Sequence, residues 1–120
     1  QEERRINTTS LDVLSRATTC TTGIEWLGQA EQAKYHQLAE SAQLNRTGGD
    51  CYLFALVALG QIHIGLDGSL NPYDIQALIP IIRGAGGVIT TWDGGNPSLG
   101  GHVVASANQA LHAQALDKLR

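Results

Sequence analysis

Methionine is absent from these 120 residues. An intact translation product begins with one, so the chain is expected to be trimmed at its start. Its polar, charged first ten residues read like the middle of a longer polypeptide. Cysteine is scarce as well, with only Cys20 and Cys51. Two cysteines make neither a disulfide framework nor a zinc site. Both stand in apolar stretches, which predicts reduced, buried thiols, a reducing compartment and a cytoplasmic location. No Lys/Arg block occurs, and 8 basic against 11 acidic residues leave a formal charge of -3. Electrostatic docking to nucleic acid or to an anionic membrane is therefore not expected. The longest apolar run, Cys51 to Leu59, is far too short to cross a bilayer, and no apolar core follows the charged N-terminus as in a secretory signal. Internal repeats, low-complexity tracts and linkers are also missing.

What is present fits a folded chain. A hydrophobic fraction of 42% with 16% charged residues supports a core, and 120 residues make one domain or part of one. Ser15 to Thr21, rich in threonine, predicts a strand. Thr22-Gly23-Ile24-Glu25 matches a capping box. Ile24, Leu27, Ala30, Tyr35, Leu38 and Ala42 then share one face of a helix ending near Ala42. Arg46 to Gly49 reads as a polar connection. Asp50 to Leu59 is apolar almost all round, as in a buried helix, and Gly60 suits its left-handed close. Ile62 to Leu66 predicts a strand and Asp67-Gly68 a turn. Pro72 suits the first turn of a helix over Tyr73 to Arg83, which Pro80 should kink and Gly84, Gly86 and Gly87 should end. A strand over Val88 to Trp92, a turn over Asp93 to Pro97, a strand over His102 to Ser106 and a helix capped by Asn108 follow. Leu111, Ala115 and Leu119 line one side of that helix. Alternating strands and helices predict an α/β fold with a mainly parallel sheet.

Ligands of open α/β sheets lie beyond the carboxyl ends of the strands. Three polar spots fall there or at the next helix start: Arg46-Thr47-Gly48-Gly49-Asp50, Asp67 and Asp74. Each has an ordinary reading alone. Arg46 suits a surface, Asp50 and Asp74 suit helix caps, and Asp67 suits a turn. Their clustering at one edge raises all of them. Asp74 is the residue suited to a hard cation, since magnesium takes carboxylate oxygens together with substrate phosphate. The four histidines have no metal-ligand spacing, and no G-x-S-x-G elbow occurs. Gly84-Ala85-Gly86-Gly87 follows a helix and precedes a strand, the reverse of a phosphate-cradling loop. Trp26 and Trp92 read as packing residues.

These residues resemble the inositol monophosphatase family. Asn71-Pro72-Tyr73-Asp74-Ile75-Gln76-Ala77-Leu78 looks like its second signature, an aromatic-Asp pair followed by a small-residue helix. Ile81 through Gly84-Ala85-Gly86-Gly87-Val88-Ile89-Thr90 to Asp93-Gly94 is similar to the family segment ending in Ala-Gly-Gly. Gly49-Asp50-Cys51-Tyr52, Val57-Ala58-Leu59-Gly60 and Pro72-Tyr73-Asp74 resemble its histidinol-phosphatase branch.

The resemblance implies the C-terminal, layered α/β half of that fold over residues 1–120. It implies a Mg2+-dependent phosphomonoesterase acting on a small alcohol phosphate, histidinol phosphate first, within histidine biosynthesis. Asp74 matches the metal-ligand Asp. Asp67 matches an acidic substrate position that would pair with an ammonium, Arg46 and Asp50 match contacts to the organic part of the substrate, and Gly49 keeps the backbone close there. His63 departs from the Asp common at its position, with little expected consequence.

The first metal motif, D-P-[IL]-D-G-[ST], and the upstream Glu are absent. Those residues would supply most metal ligands and activate the attacking water. The isolated chain is therefore expected to be inactive and to need the missing N-terminal half or a second subunit. An apolar face left open by that loss should drive association, as a homo-oligomer or with the other half. Inositol 1-phosphate or a sugar phosphate is the alternative substrate. A non-catalytic α/β interaction module is the alternative function.

Overall fold

The structure, a computed structural model, describes residues 6–25, 27–48 and 52–119. Among them, five strands form one sheet in the order β2-β1-β3-β5-β4. The strands are β1 (Thr18–Thr21), β2 (Leu44–Thr47), β3 (Ile64–Leu70), β4 (Val88–Thr91) and β5 (Gly101–Ser106). β1 pairs in parallel with both β2 and β3, whereas β5 lies antiparallel to β3 and to β4. Four of the strands thus point the same way and β5 opposes them. The helices are α1 (Gln29–Ser41), α2 (Tyr52–Ala58), α3 (Pro72–Ile75), α4 (Leu78–Gly84) and α5 (Gln109–Leu119). The architecture is the expected α/β sheet, mainly parallel, with flanking helices.

Two apolar cores lie on opposite faces of the sheet. Tyr35 and Leu38 of α1 and Leu111, Ala115 and Leu119 of α5 pack with Ile64, Leu66 and Val104. Leu53, Phe54, Val57 and Ala58 of α2 and Ile75, Ile79 and Ile82 of α3 and α4 pack with Ile89, Val103 and Ala105. Strand residues alternate between the faces, Ile64 and Leu66 to one side, Gly65 and Asp67 to the other, as the period of two requires. Each large aliphatic side chain taken fully from water contributes about 1.5–3 kcal/mol, so both helix layers are held by burial.

Several elements differ from the sequence expectations. The strand expected over Ser15 to Thr21 is a single 3-10 turn, Leu14–Arg16, followed by the shorter β1. The capping box at Thr22 does not form; α1 starts at Gln29 with Gly28 as its N-cap. The helix begins seven residues after Thr22, whose hydroxyl donates to the Asp67 carboxylate at 2.8 Å. Ala30, expected on the buried face, is exposed in the first turn of α1.

The connection expected at Arg46 contains β2, an edge strand exposed at all four positions. Backbone pairing with β1 holds it, so no apolar alternation marked it. Asp67-Gly68 is not a turn but the interior of β3, which runs on to Leu70 and carries an irregularity between Asp67 and Leu70. The helix expected over Tyr73 to Arg83 is two helices, broken between Gln76 and Ala77. Pro80 forces the break, because its ring clashes with the carbonyl four residues back, at Gln76, and it then sits harmlessly in the first turn of α4.

Other expectations hold. Gly60 closes α2 at a φ of 78°, a conformation that favours glycine. The Asn108 side chain caps α5 by accepting from the Leu111 amide at 2.9 Å. Cys20 is a free, buried thiol and Trp92 is a buried packing residue. Cys51, Trp26 and the opening of the expected Asp50 helix lie outside the described residues. No helix among the described residues is long and apolar enough to cross a membrane.

Candidate functional site

β1, β2, β3 and β4 end at the same edge of the sheet; of the sequence-selected residues, Arg46 lies on β2, Asp67 on β3 and Asp74 in the helix that follows β3. Parallel pairing places Arg46 of β2 beside Cys20 of β1, and Cys20 beside Gly65 of β3. Asp67 follows two residues later on β3. It lies opposite Val103 of β5 and so shares the face covered by α2 and α3. Burial pushes the Cys20 thiol up; the Arg46 guanidinium opposes this and the Asp67 carboxylate adds to it. The thiol thus stays protonated, and it donates to the Gly48 carbonyl at 3.6 Å.

Asp67 is 6% exposed, the one carboxylate among the buried polar groups of the described residues. Its Oδ2 accepts the Thr22 hydroxyl at 2.8 Å and its Oδ1 accepts the Gly68 amide at 3.1 Å. Two donors from β1's end and from its own strand fix the carboxylate where β3 approaches the edge. Sequence reasoning missed Thr22 as a partner, because a Thr three residues before a Glu reads first as a helix cap.

Asp74 opens α3 immediately after β3. Its Oδ2 accepts the Asn71 amide at 3.0 Å, as a residue closing the first turn of a helix can. A carboxylate has a second oxygen with its own lone pairs. Asp74 is half-buried. Tyr73 beside it is 78% exposed, and its hydroxyl accepts from Asn71 Nδ2 at 3.0 Å. Gln76 donates to the Ser98 carbonyl at 2.9 Å and ties α3 to the 3-10 turn Pro97–Leu99. Arg46 is exposed on the edge strand. Gly49 and Asp50 lie outside the described residues.

As a metal site the arrangement supplies one donor. Magnesium usually keeps several waters and takes one or two carboxylates plus phosphate oxygens, and Asp74 fits as one of those carboxylates. Among the described residues no three or more His, Cys, Asp or Glu side chains come together as a metal cluster.

An α/β sheet with helices on both faces can hold a small-molecule ligand beyond the carboxyl ends of its parallel strands. The sequence profile of the inositol monophosphatase family matches residues 5–120, and the chain belongs to that family. Relatives include the bifunctional phosphatase IMPL2 of Arabidopsis thaliana chloroplasts, 33% identical over 95% of this chain and 36% of the relative. The histidinol-phosphatase of Chlorobaculum parvum is 39% identical over 62% of this chain and 29% of the relative. Among solved structures, an inositol monophosphatase from Zymomonas mobilis superposes with a TM-score of 0.90 at 28% identity, covering 95% of this chain and 46% of that one. An IMPase/NADP phosphatase solved with Mg2+ and phosphate superposes with a TM-score of 0.78 at 21% identity, over 98% of this chain and 44% of that one. The chain thus spans about a third of the curated relatives' length and a little under half of the solved chains.

Proposed function

We propose that this chain is the C-terminal half of a Mg2+-dependent phosphomonoesterase that hydrolyses a small alcohol phosphate, with histidinol phosphate as the preferred substrate. The reading is carried by Asp74, which opens α3 at the carboxyl edge within a family match over residues 5–120. Magnesium, when bound, would clamp the phosphate, acidify a water and stabilise the leaving oxygen. Asp74 holds one oxygen toward that ion while its other oxygen anchors the helix start. Asp67, fixed by Thr22 and the Gly68 amide, presents negative charge to the organic part of the substrate, where an amino alcohol carries its ammonium. Arg46 is assigned to the same part of the substrate, and so are Gly49 and Asp50, which lie outside the described residues.

The remaining metal ligands and the water-activating group would come from an N-terminal half or a second subunit. Inositol 1-phosphate is the second reading of the substrate, supported by the likeness to the Zymomonas mobilis enzyme. The test is phosphate release by a longer polypeptide containing this chain, with Mg2+, from histidinol phosphate and from inositol 1-phosphate. Higher kcat/KM for histidinol phosphate is expected, and the opposite order would transfer the assignment to the second substrate. Release from neither would remove the phosphatase reading. The 120-residue chain alone is expected to give no turnover.

A further inference from the structure

On the opposite face of the sheet from Asp67, a cleft of about 370 Å³ opens between α1, the end of α5 and the β4–β5 edge. Its floor is aromatic and aliphatic. The Trp92 indole N–H donates to the Val103 carbonyl at 3.2 Å, which fixes the ring. The His102 ring packs against it with centroids 5.1 Å apart and a 39° tilt. Leu119 at the end of α5 completes the apolar lining. The rim is charged in both senses. Glu31 and Lys34 come from α1, and Asp93 follows β4. Lys34 lies close enough to Asp93 to help hold its carboxyl below the ordinary value, after the larger contributions of the Thr91 hydroxyl and the Gly95 amide.

The wall is preformed. Gly100 adopts a φ of 81°, and a Cβ there would fall 2.1 Å from the Leu70 carbonyl oxygen, so the start of β5 sits hard against the end of β3. The volume is at the low end of small-molecule sites, which run from about 300 to 1,000 Å³. That size suits a compact ligand and not a dinucleotide. Two carboxylates beside a single ammonium disfavour a bare phosphate, and the charged rim disfavours a purely apolar ligand. Opposite charges set beside the half-buried His102 ring, which packs against the buried Trp92, complement a zwitterion that carries a ring.

We propose that this cleft binds a free α-amino acid with a flat, ring-bearing side chain. The ring lies against the half-buried His102, which packs on the buried Trp92, the ammonium faces Asp93 and Glu31, and the carboxylate faces Lys34. The site is separate from the phosphate chemistry and does not depend on it.

Titration of the 15N-labelled chain with histidine, phenylalanine, tyrosine and tryptophan, against leucine and lysine, tests this. A ring-bearing amino acid should bind with a Kd between about 10 µM and 1 mM and move the Trp92 indole and the amides of residues 100–102. The ring-free amino acids should bind at least about 10-fold more weakly, a difference of about 1.4 kcal/mol. Lys34→Ala, a change at the half-buried rim of the cleft, should weaken the amino acid about 10-fold and should not weaken its decarboxylated amine. The proposal is overturned if no ring-bearing amino acid moves these signals at about 10 mM. It is also overturned if Lys34→Ala affects acid and amine alike, or if the shifts centre on Asp67 and Asp74.

Discussion

On the face covered by α2, α3 and α4, the core from Cys20 to Ala105 is apolar, and its one buried carboxylate, Asp67, stands where β3 nears the carboxyl edge. On the face covered by α1 and α5, a titratable group sits inside the packing. His112 is buried, with one ring nitrogen 2.8 Å from the Thr90 hydroxyl and the other 2.8 Å from the Ser106 hydroxyl. Thr90 and Ser106 belong to β4 and β5, so this histidine bolts α5 to two strands. The first face holds a single buried carboxylate among its described residues, bonded to Thr22 and to the Gly68 amide. The second uses polarity for internal attachment, which makes that face the one that responds to pH.

The largest effect should come from the apolar face. Phe54 is fully buried there, and Phe54→Ala is expected to cost about 3–5 kcal/mol in urea unfolding, enough to leave the chain largely unfolded. A cost near 1 kcal/mol would mean that this face is loosely filled and gives Asp67 no rigid support.

The pH response should come from the other face. Burial pushes His112 down to about 4 from an ordinary 6.5. The folded chain therefore keeps the ring neutral while the unfolded chain takes up a proton as pH falls through 6.5. The stability held at neutral pH is lost between about pH 6.5 and 4. About 2 kcal/mol of it should go between pH 7 and pH 5. His63, also lowered by burial, adds in the same direction. His112→Gln should flatten most of this slope in urea midpoints measured across that range. An unchanged slope would show that the bolt carries no titratable stability.

Smaller effects concern the rim. Thr22→Val should cost about 1–3 kcal/mol, because it removes a donor from a buried carboxylate, and Thr22→Ser should restore most of it. Equal stability of the Val and Ser variants would separate Thr22 from Asp67. The smallest change is Asp74→Ala, which removes the acceptor for the Asn71 amide and should cost about 0.5–1 kcal/mol. A cost of several kcal/mol would make Asp74 a structural residue first.

Much of the scaffold was legible because periodicity and punctuation agreed. α5 showed its apolar stripe and its Asn108 cap, and α2 its all-round apolar run and Gly60. What escaped depended on partners distant in sequence. β2 reads Leu-Asn-Arg-Thr and is exposed throughout, so only pairing with β1 makes it a strand. Asp67 looked like a turn residue because an Asp-Gly pair inside a central strand is stabilised by Thr22 and β5, neither of which is local. The Tyr73 helix was read through Pro80, although the chain breaks at Gln76 and Ala77 and restarts as a helix at Leu78. At the proposed site, Asp74 is selected by its motif and Asp67 by its position. The Trp92–His102 cleft left no sequence signal, since it forms only where α1, α5 and the β4–β5 edge converge.

The central claim is that Asp74 meets a phosphate-bound divalent cation. Its most direct test is the Mg2+ dependence of phosphate release by a longer polypeptide containing this chain, with and without Asp74→Asn. The expected result is a 10- to 100-fold higher Mg2+ requirement or an equivalent loss of rate, on the order of 1.4–2.7 kcal/mol, with the fold retained. Unaltered Mg2+ dependence and rate in the Asn variant would contradict it.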